Sequence, residues 1–216
     1  MRSFVVLTAG MLTFASVARA QSPAQGPSIG YVEAVAQSAV GNVTSQSYGA
    51  ELGFTVYQNL QVFVEGGQTR NVATAAFSAA AQNFAAGLSL TQANVGFSVK
   101  EPVTFGAAGV RYVIPVAGSK VQPYVLAGAG IAKVKQDATF TVGGTDVTAS
   151  LSQFNAVLGS DLSGSFNKPI IVFGGGVTYP VWQQLIVDFQ FRFGRILAED
   201  EGINVSRVGI GIGVRF

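Results

Sequence analysis

The stretch that decides the fold is the C-terminal segment Val205-Ser206-Arg207-Val208-Gly209-Ile210-Gly211-Ile212-Gly213-Val214-Arg215-Phe216. Taken every second residue, it separates into two faces. Val208, Ile210, Ile212, Val214 and Phe216 form one; Arg207, Gly209, Gly211, Gly213 and Arg215 form the other. A period of two places the segment in an extended strand. The apolar face runs unbroken to a terminal aromatic, while the opposite face holds only glycine and arginine. The pattern predicts a strand whose apolar face meets lipid and whose other face lines a small barrel.

The rest of the composition agrees. Of 216 residues, 49% are hydrophobic, only 11% are charged and 27 are glycine; mean hydropathy is +0.41. Yet beyond the N-terminus no run approaches the ~18 apolar residues of a spanning helix. A hydrophobic chain without such a helix is the combination expected of a transmembrane β-barrel, whose apolar residues are spread over alternating strands. The chain contains no cysteine and no histidine. That removes disulfides, thiolate and imidazole metal sites, most general bases, and any Ser-His-Asp or Cys-His set. No catalytic, cofactor or metal site is expected.

Arg2, the apolar run from Phe4 to Val17 and the closing Ala18-Arg19-Ala20 read as a signal peptide over residues 1–20, cleaved between Ala20 and Gln21. Residues 21–28, with two prolines, read as a periplasmic lead-in, and 29–216 as the barrel. Cleavage leaves eleven basic and eleven acidic residues. A charge near zero gives no electrostatic support to a nucleic-acid partner.

Alternation and turn chemistry predict eight antiparallel strands: Ile29–Ser38, Ser47–Tyr57, Leu60–Arg70, Val103–Ile114, Val121–Lys133, Pro169–Tyr179, Leu185–Arg195 and the C-terminal segment. The seventh alternates most cleanly, with Leu185, Val187, Phe189, Phe191 and Phe193 opposite Ile186, Asp188, Gln190 and Arg192. The fifth is apolar or small on both faces; Tyr124, Leu126, Gly128 and Gly130 are assigned inward. Brief turns at 58–59, 115–120 and 180–184 contrast with long connections near 71–100 and 135–168. Phe77, Phe84 and Leu88 in the first suggest a short amphipathic helix. Gly143-Gly144-Thr145 in the second suggests a hairpin. Short turns inside and long loops outside are the arrangement of an outer-membrane barrel. Tyr57, Tyr112, Tyr179 and Trp182, with Phe216, gather at the short-turn ends as an aromatic girdle.

A soluble eight-stranded barrel would also alternate, but its charged face would point to water. Here the charge-free faces carry the bulky residues, and the other faces combine glycine with isolated charges. Packing those into a soluble core would leave it poorly filled. The inward charges are Glu33, Glu51, Glu65 and Asp188 against Arg111, Arg192, Arg207 and Arg215. Eight strands enclose only enough space for side chains, so these are expected to pair as a structural plug. Glu51 and Glu65 are placed so that one arginine bridges both, and Glu33 and Asp188 are the acids expected for the last strand's arginines. The sharper alternative is a narrow pore whose salt bridges rearrange. Asp137, Asp146, Asp161 and Glu199-Asp200-Glu201 could collect a divalent cation at the surface, but a solvated loop face is the better reading. Gly174-Gly175-Gly176 and the Gly209, Gly211, Gly213 series lie within strands with no helix following, so they do not form a phosphate loop.

On these residues the sequence resembles the small outer-membrane β-barrel family, which includes the transmembrane domain of OmpA, OmpX and the opacity-type surface proteins. The resemblance covers about residues 28–216. Ile210, Ile212, Val214 and Phe216 look like the signal read by the barrel-assembly machinery. Gln122-Pro123-Tyr124-Val125-Leu126-Ala127-Gly128-Ala129-Gly130 is similar to a mid-barrel strand of the family. The resemblance implies a Gram-negative-type outer membrane, with membrane lipid, lipopolysaccharide and the assembly machinery as partners. The chain ends at Phe216, so no periplasmic peptidoglycan-binding domain of the OmpA kind is expected. Small barrels that are enzymes rely on histidine, so their activities are not carried over. The expected role is structural or surface-interacting, through an unidentified ligand of the long loops; a narrow pore for ions or small solutes is the alternative.

Overall fold

The computed structural model describes residues 28–159, 162–198 and 202–216. The expected signal segment with Ala20 and Gln21 lies outside them, as do Asp161 and Glu199-Asp200-Glu201.

In chain order the elements are β1 (Gly30–Val40), β2 (Ser45–Tyr57), β3 (Leu60–Thr69), α1 (Ala75–Ser89), β4 (Val95–Lys100), β5 (Val103–Val113) and β6 (Gln122–Val142). They continue with β7 (Thr145–Asp146), a 3-10 turn (Thr148–Phe154), β8 (Ser163–Trp182), β9 (Leu185–Ile196) and β10 (Ile203–Arg215). β1 pairs with β10 from Tyr31↔Arg215 to Val40↔Ser206, and β6 pairs with β8 from Gln122↔Thr178 to Asp137↔Ser163. Those two ladders close the ring β1-β2-β3-β5-β6-β8-β9-β10, an eight-stranded antiparallel up-and-down barrel. Closure leaves no strand edge, which is what a sheet in hydrocarbon requires.

The two faces fall as the alternation demands. Phe173, Phe189, Phe191, Ile210 and Ile212 are exposed on the outer wall, whereas Glu33, Glu51, Asp188 and Arg192 are buried inside. The fifth barrel strand has Tyr124 and Leu126 inward and Val125 and Ile131 outward. The connections at 58–59, 114–121 and 183–184 lie at one end of the barrel, the turn end; the remaining connections, from the four residues 41–44 to the long segments that carry α1 and the hairpin, lie at the other, the cap end.

The long connections differ from expectation in extent. β6 continues past Lys133 to Val142, and β8 begins at Ser163, before Pro169. Beyond the apolar wall their outward positions become polar, so the alternation that marks the strands reverses while the pairing persists. β4 has no counterpart among the predicted strands. It pairs with β6 from Val95↔Val142 to Lys100↔Asp137, continuing the line of β5 after an interruption at Glu101-Pro102. Proline has no N–H to give the ladder, and its carbonyl instead accepts from Lys135 N at 3.0 Å. The hairpin forms at Gly143 and Gly144, whose φ of +58° and +83° suit only glycine at low cost.

The expected helix is α1. Thr74 caps it, its hydroxyl accepting from Phe77 N at 3.1 Å. Phe77, Ala81, Ala85 and Leu88 form its buried stripe, and Phe84 packs on Phe140 of β6 with ring centroids 4.6 Å apart. With Ala138, Val147, Leu151 and Leu162 they build a cap core. A second apolar cluster, including Ala39, Val103, Ala132, Val134, Ile170, Val172, Ile196 and Val205, fills the barrel mouth beneath it.

Candidate functional site: the charged layer inside the barrel

Strand register sets a conflict that the interior resolves. Glu33 stands directly opposite Glu51 across β1–β2, and Glu51 directly opposite Glu65 across β2–β3. Arg192 and Arg207 are likewise direct partners across β9–β10. Like charges opposite one another destabilise a sheet. The remedy is to pair each row with the other across the lumen.

The arginines do so. Arg192 Nη2 donates to Glu51 Oε2 at 2.8 Å, and its Nε lies 3.7 Å from Glu65 Oε2. Arg207 Nη2 reaches Glu65 Oε1 at 3.3 Å. Arg111, from β5, reaches Glu51 Oε1 at 3.4 Å and donates to the Thr178 hydroxyl at 2.6 Å. Arg192 is the side chain shared by both glutamates. Removing one member of such a buried pair costs about 3–5 kcal/mol, because the other is left uncompensated.

Two tyrosines complete the layer. The Tyr31 hydroxyl donates to Glu51 and the Tyr124 hydroxyl to Asp188. The Arg111 guanidinium lies over both rings, 4.5 Å from the centroid of Tyr31 and 3.5 Å from that of Tyr124; Arg207 lies over Phe105 at 4.1 Å. Inward glycines make room for these large groups. A Cβ on Gly53 would stand 2.2 Å from the Tyr31 ring, and one on Gly176 2.5 Å from the Tyr124 hydroxyl.

Three expected members of the ion-pair network are placed otherwise. Glu33 and Asp188 form no ion pair among the described residues. Gln190 lies between them, and its amide nitrogen donates to Glu33 Oε1 at 3.2 Å and Asp188 Oδ2 at 3.1 Å. An amide dipole stands where a cation was expected, because Arg207 is drawn across the lumen to Glu65. Glu33 Oε2 makes no hydrogen bond among the described residues. Arg215, the last residue of β10, leaves the interior at the turn-end rim, where it donates to the Gln183 carbonyl at 3.0 and 3.2 Å.

Tyr31, Tyr124, Thr178, Gln37 and Gln190 are not among the residues that the sequence marks as a site, although strand parity already turns them inward. Charge alone is too narrow a sign, because it passes over neutral hydrogen-bonding groups. Beside the layer remains a cavity of about 10 Å³ bordered by Gln37, Glu51, Glu65, Gln190 and Arg207, room for about one water.

At the turn end Tyr57, Tyr112, Tyr179 and Trp182 are exposed on the outer wall. Ile210, Ile212, Val214 and Phe216 share that wall. Phe216 also completes closure: its N–H donates to Gly30 O at 2.9 Å and its carbonyl accepts from Gly30 N at 3.0 Å. Among the surface acids, Asp137 pairs with Lys135 and Asp146 accepts from Thr148 N. Among the described residues no group of three or more acids is placed to hold a metal ion.

The family model for the outer membrane protein beta-barrel domain matches residues 5–216. No curated protein matches the chain in sequence. Among solved structures it is similar to neisserial surface protein A (NspA), with a TM-score of 0.53 and 15% identity over 87% of this chain and 96% of that one. It is similar to a major outer membrane protein from Thermus thermophilus, with a TM-score of 0.50 and 11% identity over 86% and 99%. The outer membrane enzyme PagL is more distant, with a TM-score of 0.41 and 11% identity over 86% and 99%.

Proposed function

The chain belongs to the outer membrane protein beta-barrel domain family, and on that premise we propose a non-enzymatic barrel with a structural or surface-interaction role, its interior closed by ion pairs. The observation that carries this reading is the layer of Glu51, Glu65, Arg111, Arg192 and Arg207 spanning the lumen. The void beside it is about 10 Å³, and an apolar cluster fills the mouth above. No hydrated ion passes such a stack without rearrangement. In the proposed orientation the turn end faces the periplasm and the cap faces outward, after cleavage between Ala20 and Gln21. Ile210, Ile212, Val214 and Phe216 then form the assembly signal at the inner rim. Tyr57, Tyr112, Tyr179 and Trp182 anchor that rim in the interface, and the cap meets external partners.

One observation favours the alternative of a narrow ion pore: Arg192 is shared between two glutamates, so its partners can be exchanged. Single-channel recording in planar bilayers decides between them. The plug requires no stable openings in the native chain. Stable openings that change with Arg111→Ala or Arg192→Ala overturn it. The non-enzymatic reading, supported by a chain without histidine or cysteine, fails if the refolded protein turns over lipopolysaccharide in detergent.

A further inference from the structure

The side chains of the charged layer do not balance. Its acids are Glu33, Glu51, Glu65 and Asp188 and its bases Arg111, Arg192 and Arg207, all buried. Four carboxylates against three guanidinium groups leave one negative charge in a closed interior. Among the described residues no fourth cation reaches it. Arg215 is next to the layer in register, as the partner of Tyr31, but its guanidinium is held at the rim by the Gln183 carbonyl. Lys168 lies at the mouth, paired with Ala132. It is six residues along β8 from Gly174, the partner of Arg192, or roughly 20 Å. An uncompensated charge out of water is so costly that the group adopts its neutral form instead.

Hydrogen bonding singles out the odd acid. Glu51 accepts from the Tyr31 hydroxyl, Arg111 and Arg192. Asp188 accepts from the Tyr124 hydroxyl and, at 3.1 Å each, from Thr178 and Gln190. Glu65 meets Arg192 and Arg207. Glu33 accepts from Gln190 alone, at 3.2 Å, and its Oε2 has no partner among the described residues. Both hydrogens of the Gln190 amide are already used, and its oxygen accepts from Gln37 at 3.1 Å, which fixes the amide's orientation. The charged groups that act on Glu33 are Asp188 and Glu51, countered by Arg111 and Arg192; both arginines are committed to Glu51. From β10 it faces Gly213, its direct partner, and Gly211, where a Cβ would stand 2.9 Å from Glu33 Oε2. We propose that the layer holds one bound proton, carried on Glu33 Oε2 and taken from solvent as the barrel closes. Oε1 then accepts the one amide hydrogen as an acid carbonyl, and three carboxylates stand against three guanidinium groups. The proton is the fourth positive charge of the plug. This rests on the closed interior, because an open lumen would solvate the fourth carboxylate.

Infrared spectroscopy of the refolded mature chain in neutral detergent at pH 7 tests it, with glutamate isotope-labelled at the side-chain carboxyl. Labelling sets Asp188 aside, and Glu101→Gln removes the buried acid of the cap. In that background the spectrum should contain the carbonyl band of a protonated glutamate, which a carboxylate lacks, and adding Glu33→Gln should abolish it. Refolding from urea in weak buffer should take up a proton that Glu33→Gln loses; the chain has no histidine, so few other groups titrate near pH 7. Heat-modifiable gel mobility verifies that each variant is folded, and the Glu101→Gln spectrum decides even where Glu33→Gln does not fold. A folded barrel without the band overturns the proposal, as does a band that survives Glu33→Gln or one that sodium chloride abolishes. Single-channel recording reads the closed interior separately. Stable openings break that reading, whereas a silent barrel without the band overturns the proton alone.

Discussion

β6 passes through two environments, and its faces exchange character between them. Near the turn end Val125, Ala127, Ala129 and Ile131 point outward, while Tyr124, Leu126, Gly128 and Gly130 point inward. Toward the cap Lys133, Lys135 and Asp137 take the outward face, and the inward face becomes Ala132, Val134, Ala138 and Phe140, all buried. What lies outside the sheet decides which rule applies. Against lipid, an apolar interior gains nothing over an apolar exterior, so the barrel can hold ionisable groups inside where an ion pair or a hydrogen bond meets each of them. Against water, the apolar inward face needs cover, and α1 supplies it. The wall is held by pairing and the cap by burial.

The largest effect is expected from breaking the pairing rule at its shared residue. Arg192→Ala should cost the barrel about 3–5 kcal/mol in urea unfolding followed by Trp182 fluorescence, because Glu51 and Glu65 both lose a partner. Removing charge on both sides, as Glu51→Gln with Arg192→Met, should recover much of the loss. A cost below about 1 kcal/mol for the single change would mean the layer is solvated, and the contrast with the cap would collapse.

The wall is legible in the sequence because lipid imposes a strict period of two. Every barrel strand announces itself by its apolar face, and even the double-faced β6 obeys parity. The cap is legible only in pieces. Gly143-Gly144 marks the turn and Phe77, Phe84 and Leu88 the helix, but β4 is six residues with Gly96, Ser98 and Lys100 on one face, too short and polar to stand out. Its existence depends on β6 offering an edge. Inside, parity supplies the candidate charges but not their choice among partners. That choice follows from distance across the lumen, which sends Arg207 to Glu65 and leaves Gln190 to serve Glu33 and Asp188.

The burial rule is tested in the cap by Phe140→Ala. Phe140 is fully buried and packs on Phe84, so its loss should loosen α1 by about 3 kcal/mol. Proteolysis near residues 90–94 and faster amide exchange over 75–89 would report it. Heat-modifiable mobility of the barrel should stay unchanged. A barrel that unfolds with this change would show cap and wall to be one cooperative unit.

A smaller effect comes from Glu101, at the junction of the two regions. Its Oε2 accepts from Thr74 N at 3.1 Å and its own N–H donates to Asn71 Oδ1 at 2.9 Å, tying the start of α1 to β5. Burial holds the Glu101 carboxyl above the ordinary value of 4.5, with the Thr74 N–H and Gln136 pulling the other way. A raised carboxyl favours the neutral form in the folded cap. Its contribution is therefore present below the unfolded value and is lost as pH rises through the folded one. Amides 74–78 should be better protected near pH 4 than near pH 7, after correction for intrinsic exchange. Glu101→Gln should flatten that dependence; a variant that keeps it would place the titrating group elsewhere.

The least effect is expected where the chemistry of the charged layer is repeated in water. Lys135 and Asp137 lie 3.2 Å apart, but their side chains are 60% and 51% exposed. Solvent screens the attraction, and ordering two mobile side chains offsets much of what remains. Asp137→Asn should therefore change urea stability by no more than about 0.5 kcal/mol, with salt making little difference to the total. The pair Arg192–Glu51 is separated by 2.8 Å and almost fully buried. Comparable costs for the two substitutions would mean that ion contact, and not the environment on either side of the sheet, sets the stability of this barrel.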